Sequence, residues 1–273
     1  MSDGRVLLTG ASGLLGTWLR RTAPVGTEVV GLTHRTRLRD SPEVIADLRD
    51  PGAVVAAVHL VRPSLVIRAA YARDPVAIVA ATQNVVDAAQ KVGVDVLYVS
   101  SDAVFSGDGS PRRENAPPDP VWDYGRWKAR AERIVSRASA TSVIVRLPLV
   151  VSLDPEDHVV ALIRSGAARN KPTAWFVDEL RQPAAAPELA EALWRIALLA
   201  RGDRAGAWHL PGPECLSRYE IAQRVIVALG LNTRAIDAER TPPSAERPRH
   251  IVLEDGRARA CINWSPSNIL CRG

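Results

Sequence analysis

The chain of 273 residues carries 35 Lys+Arg against 30 Asp+Glu and is 47% hydrophobic. This balance excludes a disordered or fibrous chain and allows a sizeable core. The net charge of +5 is modest and its arginines are interleaved with acids, which argues against a nucleic-acid surface and suits a basic pocket for an anionic cofactor or substrate.

No apolar run approaches the roughly 20 residues that cross a bilayer, and residues 1–10 lack the basic-then-apolar pattern of a secretory leader. A cytoplasmic protein with no membrane partner is expected. The cysteines, Cys215, Cys261 and Cys271, form no CxxC pair, and the five histidines show no ligand spacing, so no metal is expected.

Arg5–Thr9 is a short apolar strand that stops at a glycine cluster, and Leu14–Arg21 opens a helix directly after it. Gly10, Gly13 and Gly16 thus form GxxGxxG in a strand–turn–helix context. Such glycines let backbone approach a pyrophosphate, and the helix start offers amide donors. Gly10, Ser12, Gly13, Leu14, Leu15 and Gly16 are the expected dinucleotide cradle. Glu28–Thr33 is a second strand. It ends in His34-Arg35-Thr36-Arg37, with no acid before Asp40. An acid there would hold a ribose 2′-hydroxyl, whereas arginine accepts a 2′-phosphate. NADPH is therefore expected over NADH, with Arg35 as the main phosphate ligand beside His34 and Arg37, and Asp47-Leu48 against the adenine.

Pro51–Val61 reads as a helix, 64–69 as a strand, 75–92 as a long helix, and 94–100 as a strand ending in Ser100-Ser101. A helix over 127–139 and a strand over 142–147 follow. This alternation with continuous apolar runs predicts an α/β fold, a Rossmann-type doubly wound parallel sheet. After Pro148 the pattern loosens. Helices are expected at 161–168, 187–200 and Arg218–Leu229, the last ending at Gly230, strands at 173–177 and 207–210, and a loop at 240–249. Residues 1–150 should form the dinucleotide-binding domain with the 187–200 helix packed on it. Residues 151–273 should form mainly a smaller C-terminal substrate-binding lobe.

Tyr124 and Lys128 are four apart, hence on one helical face. A nearby ammonium lowers a phenol pKa, and such a tyrosine can protonate a ketone oxygen as hydride arrives. Ser101, at the carboxyl edge of the preceding strand, is placed to hydrogen-bond that carbonyl.

TGASGLLG at 9–16, VSSDAVFSG at 99–107, YGRWK at 124–128 and RLPLV at 146–150 resemble the extended short-chain dehydrogenase/reductase superfamily. The nearest branch is the dTDP-4-dehydrorhamnose reductase-like group, which DELRQP at 178–183, ELA at 188–190 and RPR at 247–249 also resemble. The resemblance runs from about residue 4 to 260. It implies Ser101, Tyr124 and Lys128 as the catalytic set, with Lys128 also on the nicotinamide ribose. Ala69, Ala70, Tyr71 and Ser100 would lie near the cofactor. Ala103, Val104, Phe105, Trp175, Arg181 and Arg247 would lie near the substrate.

The implied function is NADPH-dependent reduction of a nucleotide-linked 4-keto-6-deoxy sugar. Two alternatives stay open. One is a reductase or epimerase of another small carbonyl. The other is a non-catalytic NADP-binding subunit, since the branch also resembles the regulatory subunit of methionine adenosyltransferase. A homodimer is left open. Four positions depart from the family: Arg68 and Ile78 stand where it has asparagines, Ala103 where it has tyrosine, and Leu149 where it has an aromatic residue.

Overall fold

The computed structural model describes residues 4–270, so Cys271 lies outside the described residues. In chain order it forms β1 (Arg5–Thr9), α1 (Leu14–Arg21), β2 (Glu28–Thr33), β3 (Glu43–Ile45), α2 (Pro51–Val61), β4 (Leu65–Arg68), a π-turn (Val76–Ala80) leading into α3 (Ala81–Lys91), and β5 (Asp95–Ser101). There follow β6 (Asp108–Arg112), α4 (Asp123–Ala138), β7 (Val143–Leu147), β8 (Val150–Val151), α5 (His158–Ala168), β9 (Thr173–Phe176), β10 (Leu180–Arg181), β11 (Ala184–Ala185) and α6 (Ala186–Leu198). The remainder is α7 (Arg201–Arg204), β12 (Gly206–His209), β13 (Leu216–Ser217), α8 (Arg218–Leu229), β14 (Ile236–Glu239), β15 (His250–Leu253) and α9 (Gly256–Ile262).

Local chemistry sets many of these boundaries. The Asp50 carboxylate accepts from the Gly52 and Ala53 amides ahead of α2, and Arg62 closes that helix in the left-handed region. Ser217 and Glu220 form a reciprocal capping box on α8, and Gly230 ends it at φ +64°.

The main sheet has seven parallel strands in the order β12-β7-β5-β4-β1-β2-β3. Both faces are covered. Val6, Leu8, Ile67, Leu97, Val99 and Val145 pack with Leu19, Leu193, Trp194, Ile262 and Trp264, from the α1, α6 and α9 side. Leu7, Val66, Val96, Tyr98 and Ile144 pack with α2, α3 and α4 through Val54, Val58, Val85, Val86 and Ala131. Burial on both faces is why the strands read as continuous apolar runs. This is the Rossmann-type doubly wound sheet. Its order reverses at β1, which opens a crevice at the carboxyl ends of β1 and β4.

A smaller sheet, β13-β10-β15-β6, and the pairs β8–β11 and β9–β14 lie largely beyond residue 150. The chain crosses between layers several times. β6, from the first half, pairs in the small sheet with β15, whereas β12 joins the main sheet beside β7. The Trp194 indole donates to the Leu19 carbonyl, tying α6 to α1 at 2.9 Å. The helix expected over 75–92 is divided by the π-turn, and the one expected from 127 starts four residues earlier, so Tyr124 falls in its first turn. No described helix is long and apolar enough to cross a membrane, and no group of three or more His, Cys, Asp or Glu among the described residues could hold a metal.

Candidate active site

The crevice begins at the glycine loop. Gly10 has φ +72°, and a Cβ there would lie 2.5 Å from the Ala70 Cα. A Cβ on Gly16 would lie 2.1 Å from the Gly10 carbonyl oxygen. Only glycine fits either place, and the outcome is a tight turn pressed against the end of β4. Gly13 caps α1 with no side-chain hydrogen bond, and Ser12 and Gly13 are exposed. The first-turn amides, including those of Leu14 and Leu15, are thereby left for water or an anion. This bare cradle fits a dinucleotide pyrophosphate.

At the exit of β2, His34, Arg35 and Arg37 are all exposed. Arg37 is ion-paired with Glu43. That carboxylate also accepts from the Thr33 hydroxyl (2.8 Å) and the Leu38 amide (2.9 Å), and these contacts, the amide foremost, hold its pKa down. Glu43 is an acid at the strand end that sequence order concealed, because β3 brings it there from ten residues downstream. His34 lies 3.9 Å from Asp47, whose carboxylate is held by Arg49 at 2.6 Å. The Leu48 carbonyl accepts from Asn84 at 2.9 Å. Among the described residues, nothing pairs with the Arg35 guanidinium.

Ser101 ends β5. Its hydroxyl accepts from the Ala103 amide and donates to the buried Asp102 carboxylate at 3.0 Å. Tyr124 stands edge-on between Trp122 (5.4 Å) and Tyr71 (6.2 Å). Gly125 allows this placement, since a Cβ there would lie 2.1 Å from the Ala103 carbonyl oxygen. The Lys128 ammonium donates to the Val99 carbonyl at 3.0 Å and lies 5.9 Å from the Tyr124 ring centroid. Ser101, Tyr124 and Lys128 are thus gathered at one end of β5.

The expected lowering of the Tyr124 phenol by Lys128 is corrected here. Burial pushes that phenol up, Tyr71, Tyr98 and Asp102 push the same way, and the Ser101 hydroxyl opposes them. Lys128 is itself lowered to about 7, by burial first and by Arg68 second, against a pull from Glu132.

Ser100, expected near the cofactor, turns its hydroxyl instead to Glu132 at 2.5 Å. Glu132 is bound by Arg146 at 2.9 Å, both about 95% shielded, and Arg146 reaches His209 Nε2 at 3.1 Å. Arginine can only donate, so Nε2 accepts and Nδ1–H donates to the Glu254 carbonyl. Several expected substrate residues are also core. Ala103, Val104 and Phe105 are buried, Phe105 between Arg146 and His209. Trp175 packs with Val159, Ile163 and Val225 and donates to Thr173. Arg181 is buried, donates to the Leu180 and Pro248 carbonyls and lies 3.9 Å from Asp102.

Arg247 differs. It is ion-paired with Glu179 yet 37% exposed, between the rings of Trp122 (5.5 Å) and Phe176 (5.7 Å). Trp122 links it to Tyr124. Trp122 was missed as a candidate, and Phe176 was weighed only together with Trp175. Strand alternation holds the signal for Phe176, which points away from buried Trp175. Arg218, also missed, lies over the Trp175 ring at 5.7 Å.

The family model described as RmlD substrate binding domain matches residues 4–268. The beta subunit of methionine adenosyltransferase 2 from Xenopus laevis is 28% identical over 262 residues, covering 90% of this chain and 78% of the relative. Two solved structures share the fold. A hypothetical dTDP-4-dehydrorhamnose reductase from Sulfolobus tokodaii has a TM-score of 0.80 at 24% identity, covering 94% of each chain. A dTDP-4-dehydrorhamnose reductase from Bacillus anthracis str. Ames, in complex with NADP, has a TM-score of 0.76 at 22% identity, covering 94% of this chain and 92% of the other. The chain belongs to the RmlD substrate binding domain family, within the extended short-chain dehydrogenase/reductases.

Proposed function

We propose that this member of the family is an NADPH-dependent reductase of a nucleotide-linked 4-keto-6-deoxy sugar. The observation that supports it most is the meeting of two sets of groups in one crevice: the bare glycine cradle after β1, and Ser101, Tyr124 and Lys128 at the end of β5. The cradle would hold the pyrophosphate of NADPH. Arg35, exposed and unpaired, would meet its 2′-phosphate, and the structurally similar Bacillus anthracis protein was solved with NADP.

When bound, NADPH supplies hydride to the carbonyl carbon. The chain's own residues do the rest. The Tyr124 phenol carries the proton that passes to the substrate oxygen as negative charge develops there. Ser101 orients that oxygen from the strand edge. Trp122 and Tyr71 shield the phenol from water. Arg247, beside Trp122, suits the anionic nucleotide portion of the substrate.

A panel of dTDP- and UDP-linked 4-keto-6-deoxy sugars tests the reading by NADPH consumption. Tyr124→Phe is expected to lower turnover by about 10²–10⁴-fold, with cofactor affinity nearly unchanged. Unchanged turnover would remove Tyr124 from the chemistry. The similarity to a methionine adenosyltransferase beta subunit favours a second reading, a cofactor-binding subunit without turnover. NADPH binding with no consumption on any member of the panel would favour it.

A further inference from the structure

Arg68 ends β4 opposite Tyr98 of β5. It is only 2% exposed, among the largest fully buried side chains described. By strand alternation it shares the face of Val66 and Tyr98, toward α2, α3 and α4. Its guanidinium donates to the Ala70 carbonyl at 2.5 Å and the Ala77 carbonyl at 2.6 Å. It therefore clamps the segment that joins the cofactor wall at Ala70 to the π-turn. Arg68 Nε has no partner, and among the described residues no carboxylate forms an ion pair with Arg68. Lys128 approaches the same place from α4. It donates to Val99, next to Tyr98, and lies 5.1 Å from the Tyr98 ring centroid. Two cations are thus buried together behind Tyr124.

Like charges taken out of water disfavour each other's ionised state. Arginine starts well above lysine, so although burial lowers both, the lysine yields first. We propose that Arg68 is a positioning residue: it supplies the permanent positive charge behind Tyr124 and, through that charge, makes Lys128 the group that loses and regains a proton. The groups facing Lys128 are Arg68 from β4, the Tyr98 ring and Val99 carbonyl from β5, and Tyr124 and Glu132 from its own helix, while the π-turn and α3 bring the uncharged Ile78 and Thr82 to Tyr98. Glu132 opposes Arg68, but its oxygens are already engaged by Arg146 and Ser100. The proton-holding role in catalysis rests on the reductase reading. The charge arrangement does not.

The sequence makes the test direct, because the chain has three lysines, Lys91, Lys128 and Lys171. Lys91 and Lys171 are exposed. Protein labelled with [13Cε]lysine gives three resonances, titrated by NMR without cofactor or substrate. The third, that of Lys128, should titrate near 7, well below the ordinary lysine value. In Arg68→Met, which keeps bulk and removes charge, the third midpoint should rise by about one unit or more. If Arg68→Met does not fold, Arg68→Gln is read in its place. A wild-type Lys128 that titrates with the exposed pair overturns the proposal. So does a midpoint that stays put when the arginine charge is gone. Neither result depends on whether the protein reduces a sugar.

Discussion

Replacing Glu132 with glutamine keeps its shape and removes its charge. In the native chain the carboxylate receives the Ser100 hydroxyl at 2.5 Å and the Arg146 Nε and Nη2 at 3.1 and 2.9 Å. Both partners of the pair are about 95% shielded. After the substitution Arg146 keeps only the Glu114 carbonyl, His209 Nε2 and a neutral amide oxygen. Breaking a buried pair from one side costs about 3–5 kcal/mol in general, and the retained acceptor argues for the lower end, about 3 kcal/mol. For a chain of this size that corresponds to a fall in Tm of roughly 6–12 °C. Urea unfolding of Glu132→Gln, Glu132→Met, Arg146→Met and the Glu132→Met/Arg146→Met double variant measures it. The double variant should lose less than the sum of the singles, because no unpaired charge is left inside. A Glu132→Gln loss under about 0.5 kcal/mol, or strictly additive losses, would refute the reasoning.

Arg35→Ala should weaken NADPH binding about tenfold or more, about 1.4 kcal/mol, and spare NADH, as read by isothermal titration. Equal effects on the two cofactors would remove Arg35 from the 2′-phosphate. Gly125→Ala puts a methyl 2.1 Å from the Ala103 oxygen and 2.8 Å from the Pro120 Cβ. The first turn of α4 must move and Tyr124 with it, so kcat should fall about tenfold or more while cofactor affinity holds. An unchanged kcat would mean that the turn tolerates the methyl. Burial and Arg146 hold the His209 imidazole down to about 3 from 6.5. The unfolded chain therefore binds a proton there that the native chain refuses. This contribution to stability is complete above about pH 6.5 and is lost as pH falls toward 3. His209→Gln should flatten the acid limb of a stability–pH curve, and an identical limb would refute the assignment.

The main sheet was legible because two-sided burial writes itself as apolar runs, and α2 and α8 because Pro51 and Gly230 mark their ends. The start of α4 was not, since Trp122 is no usual cap and the helix is placed by Gly125 against Ala103. β6, with sequence DGSPR, and β14, IDAE, are polar strands whose pairing partners lie far along the chain. The glycine cradle and the Ser101–Tyr124–Lys128 grouping could be read from spacing and strand ends. The substrate wall could not. Whether an aromatic residue faces core or cleft depends on tertiary packing, which buries Trp175 and Phe105 and brings Phe176 and Trp122 to Arg247. Glu43 escaped notice for the same reason: it is a neighbour of the β2 exit through pairing, not sequence.

In the proposed reaction this crevice passes hydride to a carbonyl carbon with Tyr124 as acid. Its most direct measurement is single-turnover transfer of deuterium from [4,4-2H2]NADPH to a dTDP- or UDP-linked 4-keto-6-deoxy sugar, followed by mass spectrometry of the product. One deuterium at the former carbonyl carbon is expected for each NADP+ formed, with transfer by Tyr124→Phe slower by about 10²–10⁴-fold. NADPH that binds but transfers no deuterium to any of these sugars would contradict it.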